Sequence, residues 1–230
     1  MAPGRGRNGV LLVHGTGSGK TRTALAICEQ YVDVSSGPAM IICPRPIRRQ
    51  FREELSVVNH AVYRGKWIPR NTDAISSGVR NRYWKIADEL RSSDRKDLAI
   101  AMDEAIAVNY TFSGYESFGT QVESVTDRVA QVFSNRVIVV DESHNMRSIG
   151  SGKSKNIGIA LSLIAQKCIN TKIVLMTATP MYDHAHEILE PINALRLNDG
   201  LPEIPNESVF PKGDGLEEGI LRQSIRRYVS

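Results

Sequence analysis

Cysteine is scarce in this sequence. The 230 residues hold three, Cys28, Cys43 and Cys168, standing far apart. An odd count without a CxxC pair excludes a disulfide framework and a zinc ribbon. Isolated thiols of this kind read as small core residues in a reducing, intracellular setting. Long apolar runs are also missing. Nowhere do 18 apolar residues follow one another, which excludes a membrane-spanning helix. No secretory leader is expected, because the basic start Met1 to Arg7 leads only into Val10–Val13 and then into a glycine-rich loop. Internal repeats and low-complexity tracts are absent. Charge is nearly balanced, with 29 Lys plus Arg against 25 Asp plus Glu and a net of +4. That balance permits a polyanionic partner without demanding one. With 41% hydrophobic and 23% charged residues, the composition is that of an ordered globular chain.

Against these absences stand four short apolar runs rich in β-branched residues: Val10–Val13, Ala39–Cys43, Val137–Val140 and Ile173–Met176. Continuous runs of this kind suit strands buried on both faces, as in a parallel sheet covered by helices. Helix-like stretches between them supply the crossovers that parallel strands require. The first runs from Thr21 to Tyr31. The pattern weakens over 64–109, where helices are expected near 83–90 and 96–107, and this stretch reads as an insertion on an α/β core. The segment 201–219, with Pro202, Pro205, Pro211, Gly213, Gly215 and Gly219, reads as a loop, and the last ten residues as a helix.

The strongest local signal is His14-Gly15-Thr16-Gly17-Ser18-Gly19-Lys20-Thr21. Glycines let the backbone curl so that amide groups point at phosphate oxygens, and the helix that follows adds the positive end of its dipole. Lys20 is placed to neutralise the β- and γ-phosphates, and the Thr21 hydroxyl to bind Mg²⁺. His14 stands where the strict pattern has its first glycine, while the G-x-G-K-T core is intact.

A second signal closes the third run. Asp141-Glu142-Ser143-His144 sets two carboxylates at the C-terminal end of a buried strand, where open parallel sheets bind ligands. Asp141 suits a water-mediated grip on Mg²⁺, and Glu142 suits a general base that polarises the attacking water. A cation between them and the phosphates lowers the repulsion between neighbouring carboxylates. The fourth run ends in Thr177-Ala178-Thr179-Pro180, whose short hydroxyl side chains are placed to hydrogen-bond His144 or a carboxylate. Asp183, His184, His186 and Glu187 do not make a metal site, since residues two apart on a helix face different ways.

G-x-G-K-T, then D-E-S-H, then T-A-T, in this order and at these separations, resembles the first RecA-like domain of superfamily 2 helicases and translocases, on its DExH side. Residues 11–21, 141–147, 179–182 and 195–200 are further similar to helicase-like proteins of large DNA viruses, the early transcription factor and nucleoside triphosphatase group. The resemblance covers about residues 9–230. It implies a three-layer P-loop NTPase domain over residues 1–220, with 221–230 starting the connector to a second RecA-like domain. It implies ATP and Mg²⁺ as ligands. The nucleotide would lie on Gly15, Thr16, Gly17, Ser18, Gly19, Lys20 and Thr21, and the metal on Thr21 and Asp141. Lys20, Asp141, Glu142 and His144 would serve hydrolysis, and Thr177 and Thr179 would couple it to a second ligand. For the location it implies a virion or host cytoplasm, with transcription machinery among the partners. Without the second domain and its arginines, the chain alone is expected to hydrolyse ATP very slowly.

The same resemblance implies a nucleic-acid partner, DNA before RNA. Arg45, Arg48, Arg49 and Arg52 follow the second run. With Ile47, Phe51 and Leu55 forming the buried stripe of a helix, Arg48, Arg49 and Arg52 are expected on its exposed side, suited to tracking phosphates without reading bases. This position matches the family's motif Ia, though a plain solvated cationic face explains the pattern too. Tyr115 and Phe118 are expected in the core rather than as stacking platforms. The basic stretch Arg64, Lys66, Arg70, Arg80, Arg82 and Lys85, with Trp67, Tyr83 and Trp84, suits single-strand binding and an ordinary amphipathic insertion equally. Two function classes therefore stand: half of a nucleic-acid-dependent ATPase, or a nucleotide- or nucleic-acid-binding module without chemistry. A P-loop kinase or transferase is disfavoured by D-E-S-H and T-A-T.

Overall fold

The computed structural model describes residues 7–15, 17, 19–31, 34–63, 106–146, 155–180, 185–210 and 218–229. The basic stretch 64–85 and the helix expected near 83–90 lie outside these residues, as does most of the one expected at 96–107. Residues 106–109 are helical, overlapping the last two positions of the latter.

Each apolar run forms a strand: β1 (Gly9–Val13), β2 (Ala39–Ile42), β4 (Val137–Val140) and β5 (Lys172–Thr177). A fifth, β3 (Tyr110–Ser113), has the sequence Tyr-Thr-Phe-Ser, which is too polar to stand out as a buried run. All pairings are parallel, and the order across the sheet is β1-β5-β4-β2-β3.

β2 and β4 are apolar at every position, and β1 and β5 nearly so, because both faces are covered. Side chains alternate between two cores. Leu12, Ala39, Ile41, Val137, Val139, Val174 and Met176 point to one. Leu11, Met40, Ile42, Ile138, Val140, Ile173 and Leu175 point to the other. The first face is roofed by α1 (Lys20–Glu29) and α2 (Arg45–Tyr63), through Ala24, Leu25, Phe51 and Leu55. On the second lie α3 (Tyr115–Ser124), α4 (Val129–Phe133), α5 (Lys155–Lys167) and α6 (Leu189–Asn198), followed by α7 (Asn206–Val209) and α8 (Glu218–Tyr228). Each fully buried Leu, Ile or Phe stabilises this sandwich by about 1.5–3 kcal/mol.

Handedness explains the division. From β1 to β2 to β3 the chain crosses the sheet one way, and from β3 to β4 to β5 it returns. Parallel crossovers are right-handed, so reversing direction moves the connecting helices to the opposite face. The helix after β1 and the helix after β5 therefore sit in different layers, although these strands are neighbours. Such a switch leaves a crevice at the C-terminal ends of the strands.

The expected loop at 201–219 holds α7, and α8 already begins at Glu218. The end of α8 is fastened to the sheet. Tyr228 is buried, and its hydroxyl donates to Asp199 Oδ2 at 3.0 Å, beside Arg227 Nη2 at 3.1 Å. Asn8 N donates to Asp199 Oδ1 at 2.8 Å. Val229 then pairs in parallel with Leu11, on the outer edge of β1. The three cysteines are buried free thiols. Among the described residues, no helix is long and apolar enough to cross a membrane.

Candidate nucleotide site

The loop after β1 is shaped by glycines where the backbone demands them. Gly17 and Gly19 have φ of +76° and +90°, in the left-handed region that other residues avoid. A Cβ at Gly15, Gly17 or Gly19 would meet nothing within 4 Å, so the loop faces open space. α1 starts immediately afterwards, with no side-chain cap and no acidic residue in its first turn. An uncapped helix N-terminus behind a curled loop suits an anion. Thr23 ties the first turn to the loop, its Oγ1 donating to Gly19 O at 3.1 Å. His14 N donates to Thr177 O at 3.2 Å, fixing the loop to β5, and Lys20 Nζ donates to His14 O at 3.0 Å. Thr16 and Ser18 lie outside the described residues.

Asp141 and Glu142 leave the end of β4, two strands from β1 with β5 between them, or about 10 Å across the sheet. Asp141 is 7% exposed. Its backbone is held on both sides: its N donates to Ile42 O at 2.9 Å, and the Tyr115 hydroxyl donates to its carbonyl at 2.8 Å. Burial, and then the charge of Glu142, push its carboxyl up to about 6, while Lys20 pulls it back. Lys20 and Asp141 thus share one electrostatic space across the crevice. Glu142 sits at φ +47°, a left-handed conformation that costs a non-glycine residue about 1–2 kcal/mol.

His144 links β4 to β5. Its Nδ1 lies 3.2 Å from Glu142 Oε2 and 3.2 Å from Thr177 Oγ1. Thr177 is fully buried, donates to Thr179 O at 2.9 Å and accepts from Thr179 N at 3.1 Å. Its single hydroxyl hydrogen is then committed, so Nδ1 of His144 carries the hydrogen that both Glu142 and Thr177 receive. The expected contact between the fourth run and His144 is made by Thr177, and Thr179 contributes its backbone.

The arginines of α2 divide. Arg45, Arg49 and Arg52 are exposed. Arg49 Nε meets Glu53 Oε1 at 2.7 Å, and Arg52 lies over the Phe112 ring at 5.6 Å. Arg48, expected on the exposed side, is half-buried instead. Its Nε is buried without a hydrogen-bond partner. Its Nη2 packs so near Gly114 that a Cβ there would lie 3.5 Å away. Arg48 also opposes the upward shift of the Cys43 thiol to about 11, a shift caused by burial and then by the charge of Asp141. The reason is helical geometry: Arg48 adjoins Ile47 and precedes Phe51 by three, so it flanks the buried stripe and its long stem reaches the strand ends.

Phe118 is buried in edge contact with Phe133, as expected of a core residue. Tyr115 is only partly buried, and its grip on the Asp141 backbone had no signal in the sequence. Of the stretch around Asp183, residues 181–184 lie outside the described residues. Among the described residues no cluster of His, Cys, Asp and Glu is arranged to hold a metal ion by itself.

Several known proteins resemble this chain. The family described as "Type III restriction enzyme, res subunit" matches residues 4–182. "Putative helicase 087L" of Invertebrate iridescent virus 3 is 27% identical over 194 residues, which is 82% of this chain and 18% of that protein. "Putative ATP-dependent RNA helicase R563" of Acanthamoeba polyphaga mimivirus is 28% identical over 198 residues, 86% of this chain and 31% of that protein. This chain therefore spans less than a third of either relative. Among solved structures, the Pyrococcus furiosus Hef helicase domain aligns with 83% of this chain and 33% of its own, at 17% identity and a TM-score of 0.45.

Proposed function

Since the chain belongs to the type III restriction enzyme res-subunit family, whose domain is the first domain of superfamily 2 helicases, we propose that it is the ATP-binding half of a nucleic-acid-dependent ATPase. The observation that supports this reading is the nearness of Lys20, which opens α1 after β1, to Asp141, which follows β4 two strands away, so that the charge of one is felt by the other.

In this reading the glycine loop and the amides that open α1 hold the phosphates of ATP. Lys20 leaves the His14 carbonyl and takes up the β- and γ-phosphates. Thr21 and Asp141 hold Mg²⁺, which when bound supplies positive charge against the phosphate oxygens. The raised Asp141 carboxyl fits such a cation, because a neighbouring positive charge restores its ionised form. Glu142 accepts the proton of the attacking water. His144, held by Glu142 and Thr177, ties that base to β5, where Thr177 and Thr179 pass its position on. Arg45, Arg49 and Arg52 follow the phosphates of a nucleic-acid strand, DNA before RNA, while Arg48 is set back from it. A second RecA-like domain supplies the remaining catalytic charge, so the chain alone binds ATP and turns it over very slowly.

The test is equilibrium binding of a fluorescent ATP analogue with Mg²⁺, comparing wild type with Lys20→Ala. Binding by the wild type, weakened at least about tenfold in Lys20→Ala, is expected. A wild-type chain that does not bind at millimolar nucleotide overturns the reading.

A further inference from the structure

Tyr115 opens α3, yet its hydroxyl ends on a different strand. It donates to the Asp141 carbonyl at 2.8 Å, so the side chain starts beyond β3, passes the end of β2 and stops at β4. The tyrosine is held for this reach. Phe118, one turn further along α3, is buried in edge contact with Phe133. Phe118 N closes the first turn on Gly114 O at 2.9 Å, and Cys43 N pins the end of β3 through Ser113 O at 3.0 Å. Asp141 N pins β4 to β2 in the same way, on Ile42 O at 2.9 Å. The ring thus bridges two strand ends that are each fixed to the strand between them.

The peptide it grips is the one that joins Asp141 to Glu142. The oxygen of that peptide receives the tyrosine hydroxyl, and its amide, on Glu142, faces the Asp141 carboxyl as a hydrogen-bond donor. A peptide group is planar, so holding both ends fixes its plane. Glu142 leaves that plane at φ +47°, a conformation a residue other than glycine keeps only where its surroundings over-determine it. From there its Oε2 lies 3.2 Å from His144 Nδ1. The directions of both carboxylates therefore depend on one peptide, and Tyr115 holds its oxygen. Water at the crevice could satisfy the same carbonyl, but it would leave the plane free to turn.

We propose that Tyr115 is a positioning residue of the nucleotide site: its hydroxyl sets the Asp141–Glu142 peptide and so aims the two carboxylates together. This role rests on the reading of Asp141 as a holder of Mg²⁺ and of Glu142 as the base. Without the hydroxyl the peptide turns, Glu142 relaxes from its left-handed conformation, and the Asp141 carboxyl loses the amide that faces it. The glycine loop and Lys20 keep their grip on phosphate, because they follow β1, at the edge of the sheet opposite β3.

The test is Tyr115→Phe in the whole chain, which keeps the ring and removes only the hydroxyl. Amide hydrogen exchange of Glu142, read by NMR without nucleotide or metal, should quicken about tenfold, with the rest of α3 unchanged. Affinity for a fluorescent ATP analogue in EDTA should match wild type, while the gain in affinity that Mg²⁺ brings should fall about tenfold. A tyrosine fluorinated beside its hydroxyl, a stronger donor of nearly the same shape, should instead slow Glu142 exchange. That variant decides the matter if Tyr115→Phe does not fold. Unchanged Glu142 exchange, an unchanged Mg²⁺ gain, equal loss of affinity with and without Mg²⁺, or faster exchange in the fluorinated variant each overturns the proposal. So does quickened exchange throughout α3 with lowered melting, which would make Tyr115 a prop of the core. A wild-type chain that binds no nucleotide overturns the nucleotide reading and this role with it. One that binds, gains from Mg²⁺ and is matched by Tyr115→Phe overturns this role alone.

Discussion

With its carboxyl raised to about 6, Asp141 weakens the nucleotide-free fold at neutral pH. The unfolded chain ionises this group near 3.8, so its proton is held more tightly in the folded state. The resulting stability is fully present below about 3.8 and is lost as pH rises through about 6. Asp141→Asn removes the effect. The variant should be about 1–3 kcal/mol more stable than wild type at pH 8, and the difference should close towards pH 4, as read by urea unfolding across that range. Saturating Mg²⁺-ATP should narrow it from the other side, by stabilising the wild type more than the variant, which lacks one of the metal-holding groups. Asp141, Glu142 and His144 were visible in the sequence because a chemically distinctive tetrapeptide ends a buried run. The inward placement of Arg48 and the grip of Tyr115 on the Asp141 carbonyl were not. Helical period gives the direction in which a side chain leaves its axis, and says nothing of how far a long stem travels or which carbonyl a hydroxyl finds.

At the scale of elements, β1 lies against α6 at a glycine. A Cβ on Gly9 would sit 2.5 Å from Leu195 Cδ2 and 3.3 Å from its Cβ. Gly9→Val should cost about 1–3 kcal/mol of stability by overpacking. Leu195→Ala should cost about 2–5 kcal/mol by leaving a cavity. The double variant should lose less than the two together, because each substitution offsets the other, and a double-mutant cycle by chemical denaturation measures that coupling. Gly9 is thus a packing position, unlike Gly17 and Gly19, although the sequence writes all three alike. The strands divide for a similar reason. β1, β2, β4 and β5 were legible because burial on both faces demands unbroken apolar residues. β3 lies at the sheet edge, and its Thr111, Phe112 and Ser113 are only half-buried, so its composition resembles that of a loop.

For the molecule as a whole, a layered α/β domain followed from the alternation of runs, whereas the order β1-β5-β4-β2-β3 did not. That order depends on the direction in which each crossover turns, and apolar pattern carries no such direction. The anchoring of α8 was equally hidden, since it joins Asn8, Asp199, Arg227 and Tyr228 from three distant stretches. Asp199→Asn removes the charge that Arg227 meets. Amide hydrogen exchange in Glu218–Tyr228 should quicken about tenfold, with β4 unchanged. Unchanged exchange in α8 would show that apolar packing alone holds it. One geometric result follows from the pairing of Val229 with Leu11. Because that pairing is parallel, Val229 lies beside β1 two residues, about 7 Å of rise, short of the level of Val13, where the glycine loop begins. A dye joined at Val229 would therefore stand near the mouth of the crevice and change its emission when nucleotide arrives, whereas one on Arg7 would sit at the far rim and stay dark to it.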